Sequence, residues 1–130
     1  MRFSFTLAAI AVCFAVSMSA HHSHGQYAET FSDMSGVVKE IHLVQPHSWI
    51  YMEVKDAKGE PQLWAVEATG RDGLQRIGVE KGYLKTGDTV KVRCHPLRDG
   101  TNGCLLGFLK SATGDVKNWD GGAAPQLSDF

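Results

Sequence analysis

The chain carries no block of like charge and no real surplus of either sign: Lys and Arg total 13, Asp and Glu 14, and the formal net charge is −1. Nucleic-acid binders ordinarily carry a basic stripe that pairs with phosphates. No nucleic-acid partner is therefore expected, and the same balance argues against an anionic membrane surface. Cysteine is scarce, with three in 130 residues, and no two form a CxxC pair, so redox and zinc-knuckle chemistry lack their usual ligands. There is no HExxH, no nucleophile elbow and no phosphate-cradling glycine loop. Catalysis has little to build on. No internal repeat is present, and only one apolar run is long.

That run stands at the start. Arg2 supplies a charge, Phe5 to Val16 is almost unbroken in its apolarity, and Ser17-Met18-Ser19-Ala20 supplies small residues for cleavage. Residues 1–20 read as an export signal, too short for a membrane span of roughly 20 apolar residues. The mature protein is expected in the periplasm, free of the membrane once the signal is removed. Loss of Arg2 with the signal leaves 12 basic against 14 acidic residues. About 110 residues then remain, enough for one core. Cys94 and Cys104 both survive, and an even pair in an exported chain reads as a disulfide.

Residues 21–35 form a polar, aperiodic N-terminal arm. From Gly36, alternation predicts strands: Val37, Lys39, Ile41 and Leu43 against Val38, Glu40, His42 and Val44, then Ile50, Met52 and Val54 against Trp49, Tyr51 and Glu53. Pro46 separates these two runs, and Asp56-Ala57-Lys58-Gly59 is hairpin chemistry. A third strand, 62–68, sets Trp64 and Val66 against Ala65 and Glu67. Asp72 is placed to cap a short helix over 73–77, with Gly78 as its stop. Strands at 89–95 and 104–111 follow, with a short last one at 116–119. Three strands, a helix and two strands make the element order of a five-stranded OB-like Greek-key barrel over residues 36–120, with a β-sandwich as the competitor. Residues 121–130 read as a loose tail. Cys94 and Cys104 lie symmetrically about Asp99, so they are expected directly opposite one another, with Cys104, Leu106 and Phe108 on one face.

Motifs along the chain resemble those of a family of small exported bacterial proteins of unknown function. They are Ala20-His21-His22-Ser23, Gln45-Pro46-His47 in place of Asn-Pro-His, Trp64-Ala65-Val66-Glu67, Leu74-Gln75-Arg76-Ile77-Gly78, Leu84 to Val90, and Pro96-Leu97-Arg98-Asp99-Gly100. His24 stands where that family commonly has an aromatic. The resemblance implies compartment and fold rather than an activity.

The chemistry-bearing residues fall in two groups. His21, His22 and His24 cluster at the expected mature terminus, where the α-amine can join them. Cleavage after Ala20 places amine and imidazole on one residue. Cleavage after Ser19 instead gives Ala-His-His, whose amine, two amides and His22 imidazole suit a square-planar Cu(II) or Ni(II) set. The same residues also read as a polar end that holds no physiological metal, and imidazole serves zinc as well. The second group is His47, behind Pro46, with His42, Trp49, Tyr51, Glu53 and Glu67 on the outward face. It reads as a small-ligand platform or as ordinary cross-strand packing under the arm. The two groups join if the arm folds back, so that His47 or His42 completes a metal site begun by His21. Glu53 and Glu67 sit where carboxylates are ordinarily solvated, which makes an acid/base pair unconvincing. A copper-binding protein is the expected function. A binding module for a small organic ligand, peptide or glycan without metal is one alternative, and a copper-dependent oxidase-like enzyme is another.

Overall fold

The structure, a computed structural model, describes residues 24–119 and residue 130. His21, His22 and all but the last residue of the expected tail lie outside them. A single turn of 3-10 helix at His24–Gln26 leads into β1 (Ser32–His42), β2 (His47–Lys55) and β3 (Pro61–Thr69). Helix α1 (Arg71–Arg76), β4 (Thr89–Pro96), β5 (Gly103–Lys110) and β6 (Val116–Asn118) follow. The sheet order is β3-β2-β1-β4-β5-β6, and a parallel pairing of Ala65, Val66 and Glu67 with Gly103, Cys104 and Leu105 closes β3 onto β5. Five strands thus form a closed OB-like barrel, with β6 as an extra strand on β5. One short helix is the only α-helix among the described residues.

β1 starts earlier than its apolar alternation suggests. Ser32 to Val37 pair with β4 and Val37 to His42 with β2, so one strand serves both halves of the barrel. Asp33 anchors the polar half, accepting hydrogen bonds of 2.7 and 2.8 Å from Arg93 Nε and Nη2. Gly36 sits mid-strand rather than at its opening. A Cβ there would overlap the Glu53 carbonyl and stand 2.8 Å from Met52 Cε, so β1 turns between its two partners where only glycine fits. A register shift between Val38 and Glu40 lets Val38 and Ile41, of opposite parity, both pack inward. This is a β-bulge, with one extra residue on one strand.

The core is built from the inward faces: Val38, Ile50, Met52, Val66, Val92 and Leu109 are all fully buried, with Leu74 of α1 among them. Trp64 packs against this cluster from its edge, and Trp119 lies wholly inside it. The expected cap of α1 is corrected. The N-cap is Gly70, with no side-chain cap, and Asp72 is exposed and paired with Arg71. The helix N-terminus is met instead by the loop before β2. Arg71 N–H donates to the Val44 carbonyl at 3.0 Å, and Asp72 N–H to Gln45 Oε1 at 3.4 Å. The Gln45–Pro46 peptide in that loop is cis.

A disulfide joins Cys94 to Cys104 with their Cα atoms 5.7 Å apart. The bond was expected between opposed residues but runs diagonally: Cys94 faces Leu106 and Pro96 faces Cys104. The hairpin turns about Gly100, at φ +78°, instead of Asp99. A second register shift, opposite Arg93 and Cys94, leaves Gly107 unpaired. It flips Phe108 outward, away from Leu106, to sit 5.7 Å from Phe31.

Two outcomes follow from this packing. Thiol labelling of unfolded, unreduced protein should find neither Cys94 nor Cys104 free, and replacing both by Ala should cost about 2–3 kcal/mol, as expected for a short closed loop. Arg93 holds the Asp33 carboxyl below its ordinary range. Its contribution is therefore present above the unfolded aspartate value and lost as pH falls through the lower native one. Asp33→Asn should cost up to about 1 kcal/mol at neutral pH, since the pair is part-exposed, and the difference from wild type should vanish in acid denaturant titrations.

Candidate functional site

The outward face carries a row of directly paired residues that runs around the barrel. His42 faces Trp49, Trp49 faces Glu67, Glu67 faces Leu105, and Leu105 faces His95. In OB-folds this strand 2–3 face, flanked by the loops after β1 and β4, is where ligands bind. Here the N-terminal arm lies across it. Tyr27 forms an antiparallel bridge with Leu97, and Ala28 N–H donates to the Pro96 carbonyl at 2.8 Å. Arg98 returns two bonds, from its N–H to Gln26 O at 2.9 Å and from Nε to Tyr27 O at 2.8 Å. Further along the arm, Phe31 stacks on His95 at 4.1 Å.

The centre of the site is Glu67. Its parity is outward, as alternation predicts, yet it is only 4% exposed, which corrects the expectation of a solvated carboxylate. Tyr27 OH donates to Oε2, and His47 Nδ1 lies 2.7 Å from Oε1. A buried carboxylate without partners would be costly; here each oxygen has its own donor. Burial and the adjoining Glu67 raise the Tyr27 hydroxyl's pKa well above that of a free phenol. A carboxylate can only accept, so Nδ1 carries the imidazole proton and, in neutral His47, Nε2 presents its lone pair. The His47 side chain is 41% exposed, so that lone pair is available to a ligand.

Of the other expected site residues, Trp49 faces Glu67 across the β2–β3 ladder, while Glu53, His42 and Tyr51 make their contacts elsewhere. Glu53 pairs with Lys39 at 3.1 Å. His42 approaches Glu40 at 3.1 Å and packs edge-on against Tyr51, ring centres 5.7 Å apart. Trp49 and Tyr51 are half-buried. Among the described residues, no three His, Cys, Asp or Glu side chains converge as a ready metal cage. Tyr27, Arg98 and His95 were not foreseen as site residues. Tyr27 is an isolated aromatic in a polar arm, Arg98 belongs to the Pro-x-Arg-Asp-Gly motif, and both could have been read as an arm–barrel contact.

The family of unknown function DUF6152 matches residues 9–106. The chain belongs to this family. No curated protein matches it significantly. Among solved structures it is similar to two crystal structures of the mitochondrial single-stranded DNA-binding protein Rim1 from S. cerevisiae, one of them selenomethionine-labelled, at 8% and 9% identity and TM-scores of 0.48 and 0.46. Each match covers 63% of this chain and 92% of the other. The barrel assignment for this DUF6152 chain rests on its own strand pairing.

Tyr27→Phe should cost about 1.5–3 kcal/mol, the usual range for a hydrogen bond to a charged group. The native pKa of Tyr27 is the higher one, so the stabilisation holds below about pH 10, where a free tyrosine ionises, and fades as pH rises through the native value. Alkaline titration followed by phenolate absorbance should show Tyr27 ionising at higher pH in wild type than in a Glu67→Ala variant, which keeps the burial but loses the carboxylate.

Proposed function

We propose that the protein is an exported, periplasmic metal-binding protein that takes copper through the histidines of its mature N-terminus together with His47. The observation that carries this reading is the Glu67–His47 pair. Metal-ligating histidines characteristically donate their second ring N–H to a carboxylate, which fixes the tautomer and aims the free nitrogen. His47 meets both conditions, with Nδ1 on a buried carboxylate and an exposed ring beyond it.

The arm supplies the remaining donors. Tyr27 is tied to the same Glu67, and His24 lies three positions before Tyr27 in the chain. At no more than about 3.6 Å per residue, the chain from Tyr27 back to His24 cannot stray far from His47, and His22 and His21 follow directly. The barrel offers one oriented imidazole and the arm is rich in them, so the site is assembled only when the two are docked. An all-nitrogen set of imidazoles and an amine suits Cu(II), which binds most tightly among the divalent first-row metals. Its role would be metal handling or delivery, with no reaction assigned.

The purified mature protein should bind one Cu(II) in calorimetry. Affinity should fall between about pH 7 and pH 5, as protons compete for imidazole and amine. Blocking the α-amine with an N-terminal extension should weaken binding sharply, and so should His47→Ala. Glu67→Gln should weaken it roughly 10–100-fold through misorientation of His47. Copper affinity indifferent to both the extension and His47→Ala would overturn the proposal.

A further inference from the structure

Away from the arm, at the end of the barrel covered by α1, lies a cavity of about 420 Å³. Its wall is apolar: Ile41 from β1, Leu43 just after it, Val79 and Leu84 from the segment after α1, and Trp119 just after β6. Protein interiors are packed with few voids larger than a water molecule, whereas pockets of 300–1,000 Å³ with apolar walls and a few converging polar groups hold small molecules. The volume and lining place this cavity in the second class.

The polar groups at the cavity are unevenly divided. Arg71, Gln75, Glu80 and Lys81 are exposed and border it. Lys81 has no ion-pair partner among the described residues, and Arg71 meets only the exposed Asp72, at 3.1 Å. The indole Nε1 of Trp119 is buried and finds no acceptor among the described residues, and a buried donor without a partner calls for a physical explanation. Among the residues that line the cavity the two cations therefore outnumber the one carboxylate, Glu80. Asp72 offsets Arg71 from outside the lining, and among the described residues Lys81 is left as the unpaired charge.

We infer that this cavity is a binding site for a small amphipathic anion, a medium-chain carboxylate or its chemical equivalent. The chain lies against Ile41, Leu43, Val79 and Leu84, and the anionic head sits at the rim beside Arg71 and Lys81. The site is independent of the copper reading, since it shares no residue with His47, Glu67 or the arm. A cationic amphiphile of the same length meets the wrong sign at the rim, and a neutral alcohol keeps only the apolar contribution.

The test compares octanoate, octanol and octylammonium in calorimetry, using wild type and an Arg71→Gln/Lys81→Gln double variant. Both substitutions lie on exposed side chains outside the core, so the fold is retained. Octanoate should bind saturably to wild type and shift the methyl resonances of Ile41, Leu43, Val79 and Leu84 in NMR. The double variant should bind octanoate roughly fivefold more weakly, the loss expected for two part-exposed charge contacts, with octanol binding unchanged. Raised salt should weaken octanoate binding alone. The inference fails if octanoate does not saturate, if its shifts fall elsewhere, if octylammonium binds as tightly, or if the double variant binds octanoate as wild type does.

Discussion

The interaction on which the rest depends is a single buried carboxylate with two donors. Glu67 sits on the outward side of β3, where the barrel would otherwise leave it to water, and it is buried because the arm passes over it. A carboxylate taken out of water costs several kcal/mol unless its oxygens are met. Tyr27 and His47 meet them, one from each side. The same contact therefore docks the arm, orients an imidazole and keeps a charge in a place that would not tolerate it alone. Removing Glu67 leaves both donors without their acceptor, and removing either donor leaves one buried carboxylate oxygen unmet, so the two bonds are coupled through Glu67.

The barrel supplies the platform for this arrangement through register. Parallel closure of β3 onto β5 sets Glu67 beside Leu105. The antiparallel β2–β3 ladder sets it beside Trp49 and brings His47 opposite Thr69. The loop before β2 both delivers His47 and meets the N-terminus of α1 through Val44 and Gln45. The arm in turn is held by the loop after β4 through Leu97 and Arg98. Both loops that flank an OB-fold ligand face are thus engaged, one with the helix and one with the arm.

Strand order and the helix position were legible because each strand buries one face and so alternates, and the turns carry the glycines and aspartates that their backbone needs. The inward positions of Ile50, Met52 and Val66 follow directly from that period. The bulges did not show. At Lys39 and at Gly107 one extra residue shifts the register, and the groups that meet each bulge lie away from it in sequence: Thr86 Oγ1 on the Lys39 carbonyl, and Phe31 and the Trp119 N–H against Gly107. Phe108 departs from simple alternation for that reason, whereas the disulfide runs diagonally because the hairpin turns about Gly100 and not Asp99. For the site, the face of Glu67 was readable from parity but its burial was not, because its cover comes from Tyr27, forty positions earlier. His47 was readable as an exposed histidine beside a rigid proline, but the partner on its Nδ1 was not.

The central claim is that the arm docks on Glu67 and so brings its histidines to the exposed nitrogen of His47. Paramagnetic broadening measures this directly. With one equivalent of Cu(II) added to isotopically labelled protein, NMR signals from His47, Ser48, Glu67 and Tyr27 should broaden away, while those of the Asp56–Gly59 turn stay sharp. Broadening confined to the residues before Tyr27, with His47 and Glu67 left sharp, would contradict the account.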